Sequence, residues 1–339
     1  MKTTAQAAPL VVASIIGPQW RTSVLDARAR STIAEHAALI DLDRDALLPL
    51  AGSRDEASRA RVLITGWGTP PLDASVLDRF PALELVAHAA GTVRGIVGEE
   101  VWARGLRVCN AADANAVSVA DFTVAQIHLS LKNAWRLAAA ARGTARTPER
   151  TGVRGLDGAT VSLVGLGAIG RRVAERLAAL DVRVIAFDPF VGDEECAALG
   201  VERVDLADAF ARADVLTLHA PLTEGTRGMV GRDLLSALPD SATLINTARG
   251  GLLDHDVLSA VLADRPDLFA LLDVTDPEPL PTGHPLLGLP NTFLTPHIAG
   301  SLGSEEARLG ALVAGEVSRF ARGLPLEHEL VEDRVALSA

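Results

Sequence analysis

The sequence lacks the residues that a disulfide-bonded or metal-binding chain would use. Only Cys109 and Cys196 occur among its 339 residues, far apart and in no metal-ligand spacing. A disulfide framework is therefore not expected, and no metal site is predicted. A reduced compartment, the cytoplasm, fits this cysteine usage.

The chain also lacks a basic excess and a long apolar run. It contains 32 Lys and Arg residues and 43 Asp and Glu residues, which give a formal net charge of −11. This balance offers no basic surface to nucleic acid or to anionic lipid. The apolar run from Leu10 to Ile16 is too short to span a bilayer and has no evident cleavage site, so it predicts a first strand. Nucleic-acid and membrane partners are not expected.

Apolar residues, by contrast, are abundant. They make up 48% of the chain, and the length exceeds what one hydrophobic core usually organises, so two domains are expected. The most informative stretch is TVSLVGLGAIGRRVAERLAALDVRVIAFD, from Thr160 to Asp188. It contains an apolar strand, glycines spaced G-x-G-x-x-G, a helical pattern, and a second strand that ends on an acid.

Each part of this stretch has a physical role in binding a dinucleotide. Gly165 allows a tight turn, Gly167 lets a pyrophosphate approach the backbone, and Gly170 lets helix and strand pack closely. The helix that follows points free N–H groups and its positive dipole end at the phosphates. Asp188 lies where a carboxylate can accept both ribose hydroxyls, which favours NAD over NADP. The alternative for Asp188 is a strand-end turn before Pro189.

Strands alternate with helices along the whole chain, which predicts parallel sheets with crossover connections. One helix is expected around Ser23 to His36 and another around Val76 to Phe80. The predicted strands are Leu10–Ile16, Ala38–Leu42, Arg61–Gly66, Leu83–Ala87, Leu106–Cys109, Thr160–Val164, Val182–Phe187, Val215–Leu218, Thr243–Thr247, Phe269–Val274 and Phe293–Thr295.

Two long apolar helical patterns, from Ala116 to about Ala141 and from Ser304 to Gly323, are expected to join the domains. The fold class is therefore α/β, with two doubly wound parallel-sheet domains: a flavodoxin-like substrate domain and a Rossmann NAD-binding domain. The substrate domain is expected in residues 1–113 plus 303–339, and the NAD-binding domain in residues 114–302. Ligands of open α/β sheets bind at the carboxyl ends of the strands.

Three predicted strand ends in the second domain carry reactive side chains. Arg249 follows one strand beside two glycines, where a guanidinium can hold a carboxylate through two hydrogen bonds. Glu278 lies between two prolines in a stiff loop. His297 follows Pro296 at the end of a further strand. Taken singly, these residues have plain structural alternatives: an arginine that caps a turn, an exposed acidic turn and a hydrogen-bonded histidine.

Together, the three side chains form an anion clamp and an acid/base pair beside a nicotinamide. A carboxylate next to an imidazole favours imidazolium and orients it. Such a set can reduce a 2-oxo acid, with hydride from the cofactor, a proton from His297 and the substrate carboxylate held by Arg249.

With these motifs, the sequence resembles the D-isomer-specific 2-hydroxyacid dehydrogenases over nearly its whole length. The resemblance rests on VSLVGLGAIG, HAPLTEGTRGMV from His219, NTARGGLLD from Asn246, LDVTDPEPL from Leu272, TPHIAGS from Thr295 and VCNAADANAVSVADFT from Val108. It implies an oxidoreductase that acts on the CH–OH group of a small 2-hydroxy acid, with NAD as cofactor. It also implies a dimer or tetramer built through the NAD-binding domain, of which a homodimer is expected here.

The resemblance assigns roles residue by residue. Arg249, Glu278 and His297 are implied to be the catalytic residues. Backbone around Ala90, Gly91 and Thr92 is implied to bind the substrate carboxylate with Arg249. The residues implied to contact the cofactor are Gly165, Gly167, Ala168, Ile169, Gly170, Asp188, His219, Pro221, Thr226, Thr247, Ala248, Asp273, His297 and Gly300, with Asp273 near the carboxamide.

Some positions depart from the family pattern. Ala112 and Asp113 replace a common Pro-Gly, Asp121 replaces a glutamate, and the arginine-rich segment 143–154 replaces a G-x-W segment. The loop after Gly91 reads Thr92-Val93-Arg94 where the family often has G-x-D-N. These changes affect the substrate side chain and the dimer contacts. Trp67 and Arg94 are candidate contacts to the substrate side chain, although a packing tryptophan and a solvated arginine explain them equally well.

The main alternative function is a non-enzymatic, NAD-sensing corepressor on the same scaffold. Such proteins can retain the three catalytic residues, so the residues alone do not exclude it. Formate oxidation ranks lower, because relatives with that activity resemble Gln–His where this chain has Glu278. Phosphite oxidation also ranks low, because the loop from His88 to Arg94 offers no lysine.

Overall fold

The computed structural model describes residues 10–43, 57–142, 149–150 and 152–332. The chain divides into two compact units: unit 1 is Met1–Asn115 with Ser301–Ser338, and unit 2 is Ala116–Gly300. Residues 143–148 and 151 of the predicted loop 143–154, and the ends of the chain at 1–9 and 333–339, lie outside the described residues.

Unit 1 is built on a five-stranded sheet with the strand order β2-β1-β3-β4-β5. All four neighbouring pairs are parallel. This order is that of flavodoxin-like domains, in which the chain winds to one side of β1 and then to the other. The strands are β1 Leu10–Ser14, β2 Ala37–Asp41, β3 Val62–Thr65, β4 Leu85–His88 and β5 Arg107–Asn110.

Helices cover both faces of this sheet. Alternate residues of a strand point to opposite faces, and they belong to different hydrophobic clusters. Val62 and Ile64 belong to one cluster, whereas Leu63 of the same strand belongs to another. The helices of unit 1 are α1 Pro18–Val24, α2 Ala27–Ala34, α3 Ala74–Leu77, α4 Glu99–Ala103, the start of α5 Ala112–Leu131 and the last helix, α12 Glu306–Ala321.

Unit 2 contains a seven-stranded sheet with the order β12-β11-β10-β9-β6-β7-β8, again parallel throughout. From β6 the chain adds β7 and β8 on one side of the sheet and then β9 to β12 on the other side. The switch point of this Rossmann fold therefore lies between β6 and β9. The strands are β6 Ala159–Val164, β7 Val182–Phe187, β8 Glu202–Arg203, β9 Val215–Leu218, β10 Thr243–Asn246, β11 Phe269–Leu272 and β12 Thr292–Leu294.

The helices of unit 2 lie on both faces of its sheet, and two buried clusters fill the space between the layers. Besides most of α5, they are α6 Ala134–Arg142, α7 Ala168–Leu177, α8 Asp193–Ala198, α9 Leu206–Ala211, α10 Arg232–Ala237 and α11 His255–Asp264. Short 3-10 turns occur at Gly250–Leu252 and Pro285–Leu287, and another precedes α12 at Gly303–Glu305. No helix among the described residues is both long and apolar enough to cross a bilayer.

The eleven predicted strands are confirmed, with ends displaced by at most two residues. Two helix predictions are wrong in their continuity. The helix expected from Ala116 to Ala141 is interrupted after Leu131, because Asn133 adopts a left-handed φ of 49° before α6 begins. The helix expected from Ser23 to His36 is replaced by α1 and α2, because the Asp26 carboxylate accepts the N–H of Ala29 at 2.8 Å and caps a new helix.

Candidate functional site

The glycine loop after β6 has the close contacts that its spacing predicts. Gly165 adopts a φ of 105°, and a Cβ there would lie 2.8 Å from the N atom of Ala220. A Cβ on Gly170 would lie 2.1 Å from the Gly165 carbonyl oxygen, so α7 can pack on the loop only with glycine at this position. These two glycines therefore set the path of the backbone.

Gly167 differs from them, because a Cβ on Gly167 would meet nothing within 4 Å. Gly167 is the N-cap of α7 and provides no side-chain acceptor for the first N–H groups of the helix. Open space in front of unsatisfied helical N–H groups is what a phosphate needs. The cradle therefore fits the pyrophosphate of a dinucleotide, and Ala168 and Ile169 form the first turn of the helix that faces it.

The Asp188 carboxylate lies at the end of β7, beside the glycine loop. Its Oδ2 accepts the N–H of Leu166 at 2.7 Å, and its Oδ1 accepts the N–H of Phe190 at 2.8 Å. The carboxylate therefore supports both the glycine loop and the turn after Pro189. Each carboxylate oxygen still has a lone pair for a ribose hydroxyl, so this geometry fits the predicted contact with the cofactor.

His219, Pro221 and Thr226 lie in the loop after β9. His219 is 6% exposed and packs close to the glycine loop. A Cβ added to Gly170 would lie 3.7 Å from the His219 Cβ. Burial lowers the pKa of His219 to about 3, so its ring is neutral. The Thr226 hydroxyl donates to the Pro221 carbonyl at 2.6 Å and closes the turn. These contacts shape the loop, and a direct contact with the cofactor stays a prediction.

Arg249 follows β10 in a loop that the buried Asn246 holds. The Asn246 side chain donates to the Arg249 carbonyl at 2.9 Å and accepts the N–H of Ala248 at 3.1 Å. The guanidinium itself is half-buried, with Nη1 2.6 Å from the Ala248 carbonyl oxygen. The sequence did not single out Asn246 as a support for this loop. The neighbouring Thr247 is buried, and its hydroxyl lies 3.1 Å from that of Thr123.

The loops that carry Arg249 and Glu278 are packed backbone against backbone. A Cβ on Gly250 would lie 2.0 Å from the carbonyl carbon of Thr275 and 2.6 Å from the N atom of Asp276. Only a glycine allows this approach. The position of Arg249 is thus tied to the loop that leads to Glu278.

Glu278 in turn contacts His297. The His297 Nδ1 lies 2.7 Å from the Glu278 Oε1, and the two side chains are 52% and 42% exposed. His297 has a φ of 54°, which is rare for a residue other than glycine. The structure therefore brings Glu278 and His297 together, with the His297 Nε2 left for a reaction partner.

Asp273 holds the backbone on both sides of His297. Its carboxylate is 3% exposed and accepts the N–H groups of Ile298 at 2.8 Å and Ala299 at 2.9 Å. It also accepts the Thr295 hydroxyl at 2.5 Å. Asp273 therefore stabilises the loop from Thr295 to Ala299, which includes the unusual backbone of His297. Gly300 follows this loop as the last residue of unit 2. Its predicted contact with the carboxamide stays a prediction.

The predicted substrate loop of unit 1 is rigidly held. The Gly91 carbonyl accepts the Asn110 side-chain amide at 2.9 Å, and the Ala90 carbonyl accepts the N–H of Ala111 at 3.1 Å. Within the described residues, the backbone N–H groups of Gly91 and Thr92 donate no hydrogen bond. Fixed carbonyls and available N–H groups suit the binding of an anion.

A cavity of about 500 Å³ in unit 2 does not contain the three predicted catalytic residues. Its lining includes Arg227, His255, Asp276 and His284. The Arg227 guanidinium lies 2.9 Å from the Asp276 carboxylate. Because none of these residues was predicted to react, the candidate site is defined by the strand-end loops and not by this cavity.

Known proteins agree with this architecture. The family model described as "D-isomer specific 2-hydroxyacid dehydrogenase, NAD binding domain" matches residues 124–299. An (S)-sulfolactate dehydrogenase of Chromohalobacter salexigens is 34% identical over 300 residues, which cover 85% of this chain and 96% of that protein. A D-3-phosphoglycerate dehydrogenase of Archaeoglobus fulgidus is 34% identical over 260 residues, which cover 76% of this chain and 49% of that protein.

The chain thus spans about half the length of the archaeal phosphoglycerate dehydrogenases that it matches. The NAD-complexed crystal structure of a D-isomer specific 2-hydroxyacid dehydrogenase from Lactobacillus delbrueckii ssp. bulgaricus has a TM-score of 0.79, with 21% identity over 95% of this chain and 99% of that chain. This likeness supports the fold, and the family match identifies unit 2 as an NAD-binding domain. The chain belongs to the D-isomer specific 2-hydroxyacid dehydrogenase family.

Proposed function

We propose that this protein is an NAD-dependent D-2-hydroxyacid dehydrogenase, or 2-oxoacid reductase, with Arg249, Glu278 and His297 as its catalytic residues. The observation that carries the proposal is the 2.7 Å contact between His297 and Glu278. The loop that leads to Glu278 also packs tightly against the loop of Arg249. Family membership supports the reaction class, and the names of the relatives supply candidate acids, phosphoglycerate and sulfolactate.

The cofactor is proposed to lie on the cradle of Gly165, Gly167 and Gly170, with Asp188 at its ribose. When bound, NADH supplies a hydride from nicotinamide C4 to the carbonyl carbon, C2, of the substrate. The strands around this cradle are parallel, which supports a cofactor site and catalytic loops at their common carboxyl end.

Arg249 is proposed to bind the substrate carboxylate, because a guanidinium presents two parallel N–H groups to it. The backbone N–H groups of Gly91 and Thr92 are proposed to add further donors. Such contacts fix C2 and its carbonyl oxygen, and positioning of this kind lowers the barrier to reaction.

His297 is proposed to donate a proton from Nε2 to the carbonyl oxygen as C2 is reduced. The carbonyl π electrons form the new O–H bond, and the imidazolium becomes imidazole. Glu278 holds Nδ1 throughout and stabilises the charged ring. In the oxidative direction, imidazole takes the hydroxyl proton back.

The protein is further proposed to act as a cytoplasmic homodimer. Both cysteines are buried and free, as suits a reducing compartment. The surface of α6 supports self-association: among its described residues none is buried within the chain, and Leu129 on the preceding helix is 37% exposed. Light scattering after gel filtration measures this directly, and a monomer at all concentrations would contradict the dimer.

The proposed reaction is tested by following NADH oxidation with a panel of 2-oxo acids, alongside NADPH. At least one acid should be reduced to the D-hydroxy acid, with NADH preferred. Binding of NADH without consumption of any acid would favour the NAD-sensing alternative. Formation of the L-hydroxy acid would contradict the proposed stereochemical class.

A further inference from the structure

The carboxyl ends of three neighbouring strands in unit 1 carry apolar and small residues. Gly17 lies beyond β1, Trp67 beyond β3, and Ala89 and Ala90 follow β4 directly. Because open α/β sheets bind ligands at this end, these residues are candidates to contact the part of the substrate that does not react. This inference rests on the proposed function and concerns the identity of the acid.

Two tryptophans form a platform at this sheet end. The rings of Trp20 and Trp67 lie 6.0 Å apart at an angle of 55°. A Cβ on Gly17 would lie 3.0 Å from the Trp20 ring, and a Cβ on Gly68 would lie 3.1 Å from it. The Trp20 indole therefore lies directly on two glycines, and both indoles remain partly exposed. The sequence had pointed to Trp67 but not to Trp20.

His88, which ends β4, contributes no positive charge to this surface. The residue is 1% exposed, and its Nδ1 lies 2.9 Å from the Thr65 hydroxyl. The ring also hydrogen-bonds the Thr92 backbone, and burial lowers its pKa to about 4. His88 is therefore neutral near pH 7, and its ring links Thr65 at the end of β3 to the backbone of the substrate loop at Thr92.

Two arginines lie near the same sheet end: Arg21 is largely buried but already bound, and Arg94 is exposed. The Arg21 side chain is 16% exposed and binds the Ile16 carbonyl, the Leu42 carbonyl and the Asp43 carboxylate, the last at 2.9 Å. Arg94 is exposed to solvent, where its charge is screened. Asp41 and Asp43 pair with Arg21 and Arg30, so this cluster offers no net positive charge to a second anionic group.

We propose that the substrate carries an uncharged, apolar substituent beyond C2, aliphatic or aromatic, that packs against Trp20 and Trp67. A phosphate or sulfonate at this place would lose water, while the buried cation of Arg21 is already paired with Asp41 and Asp43, which is unfavourable. An apolar group gains instead from burial against the indole rings. The acids named by the relatives would then be poor substrates for this chain.

The first test compares the purified wild-type protein with NADH and four acids: 4-methyl-2-oxopentanoate, phenylpyruvate, 3-phosphohydroxypyruvate and 3-sulfopyruvate. We expect kcat/KM to be about 100-fold higher for the two apolar acids, a ratio within the range that pocket contacts supply. A higher value for the phosphorylated or the sulfonated acid would overturn the inference.

The second test replaces Trp67 by alanine and uses Trp102→Ala as the matched control. Trp102 lies on α4 in the same unit and packs in a different cluster. Trp67→Ala should raise KM for the apolar acids at least about tenfold, with a smaller effect on kcat and little effect with glyoxylate, which has no substituent. An unchanged KM for the apolar acids in a folded Trp67→Ala protein would count against the platform.

Binding separates this inference from the proposed reaction. Tryptophan fluorescence of the protein with NAD is titrated with each of the four acids. If no acid is reduced, the proposed reaction fails, yet a fluorescence change with the apolar acids alone would still support the platform. Tighter binding of the phosphorylated or sulfonated acid, or no binding of any acid, would overturn the inference whether or not NADH is consumed.

Discussion

The Nδ1 atom of His297 and the Oε1 atom of Glu278 lie 2.7 Å apart. This distance fits a charge-assisted hydrogen bond in which the ring donates. It fixes the orientation of the imidazole and directs Nε2 away from the carboxylate. Asp273 holds the same loop from the buried side through the N–H groups of Ile298 and Ala299, so one acid holds the ring and another holds its backbone.

Replacement of His297 by asparagine should lower kcat for 2-oxoacid reduction by about 100-fold to 10,000-fold, since this is the usual share of general acid catalysis. His36→Asn is the matched control, because His36 is exposed and lies in unit 1. Steady-state kinetics with saturating NADH gives the comparison. Ordinary turnover by His297→Asn would remove this residue from the mechanism.

Glu278→Gln should affect the two directions of the reaction unequally. A neutral amide keeps a hydrogen bond to the ring but no longer stabilises an imidazolium, which reduction requires and oxidation does not. With saturating substrates near pH 7, kcat for reduction should therefore fall more than kcat for oxidation. The wild type should show opposite pH trends in the two directions, with reduction favoured by acid. Equal losses of kcat in both directions would indicate that Glu278 has only a structural role. The exposed Glu224→Gln is the control.

Asp188→Ser should weaken the preference for NADH over NADPH at least about tenfold, which corresponds to about 1.4 kcal/mol. The carboxylate repels a 2′-phosphate, whereas serine does not. Asp193→Ser, at an exposed helix start in the same unit, controls for the loss of one negative charge. The ratio of kcat/KM values for the two cofactors is the measurement. A wild type that prefers NADPH would contradict the role given to Asp188.

Alanine at two glycines of the loop should have opposite effects. Gly170→Ala places a Cβ 2.1 Å from a carbonyl oxygen, so the free energy of unfolding should fall by about 1–3 kcal/mol, as in other overpacked sites. Gly167→Ala meets open space and should leave the stability of the free protein nearly unchanged while it weakens NADH binding. Urea unfolding and fluorescence titration measure the two effects. Normal NADH affinity in Gly167→Ala would argue against a phosphate at this position.

His88 should make the protein sensitive to mild acid. Its folded-state pKa of about 4 lies below the value of about 6.5 for a free imidazole, so the unfolded chain binds the proton first. The contribution of neutral His88 is complete above about pH 6.5 and is lost as the pH falls towards 4. The loss is about 1.4 kcal/mol per pH unit within this window.

Unfolding of the wild type and His88→Asn by urea at pH 7 and at pH 5 tests this dependence. The asparagine variant should lose less stability between the two pH values, whereas His36→Asn should behave as the wild type. His219, with a pKa of about 3, adds a second contribution of the same sign, which both variants retain. The same loss in His88→Asn and wild type would mean that His88 is not buried as a neutral ring.

The strand ends could be located from the sequence because each one couples an apolar run to a polar residue. This held for β10 before Arg249 and for β12 before His297. Helix continuity was harder to predict, since the break at Asn133 depends on one left-handed residue within an apolar pattern. The two helices around Asp26 were missed for a similar reason, because a capping contact of one side chain decided between one helix and two.

The supporting residues of the site could not be predicted from local patterns. Asn246 follows a buried strand as many residues do, and only the folded loop gives its amide two backbone partners. Trp20 lies in a short helix far in sequence from Trp67, and the pairing of β1 with β3 brings them together. These contacts depend on long-range packing, which leaves no periodic signal in the sequence and so could not be predicted from it.

The contact of Gly250 with the Thr275 backbone bears on how enzymes of this kind can diversify. There is no room for even a methyl group between the loop of Gly250 and the loop of Thr275. A change in one loop therefore requires a change in the other, so Arg249 and Glu278 are expected to keep their relative positions. The platform of Trp20 and Trp67 belongs to the other unit and takes no part in this contact. Exchanging the residues at that sheet end could therefore change the acid that is turned over while the chemistry stays as it is.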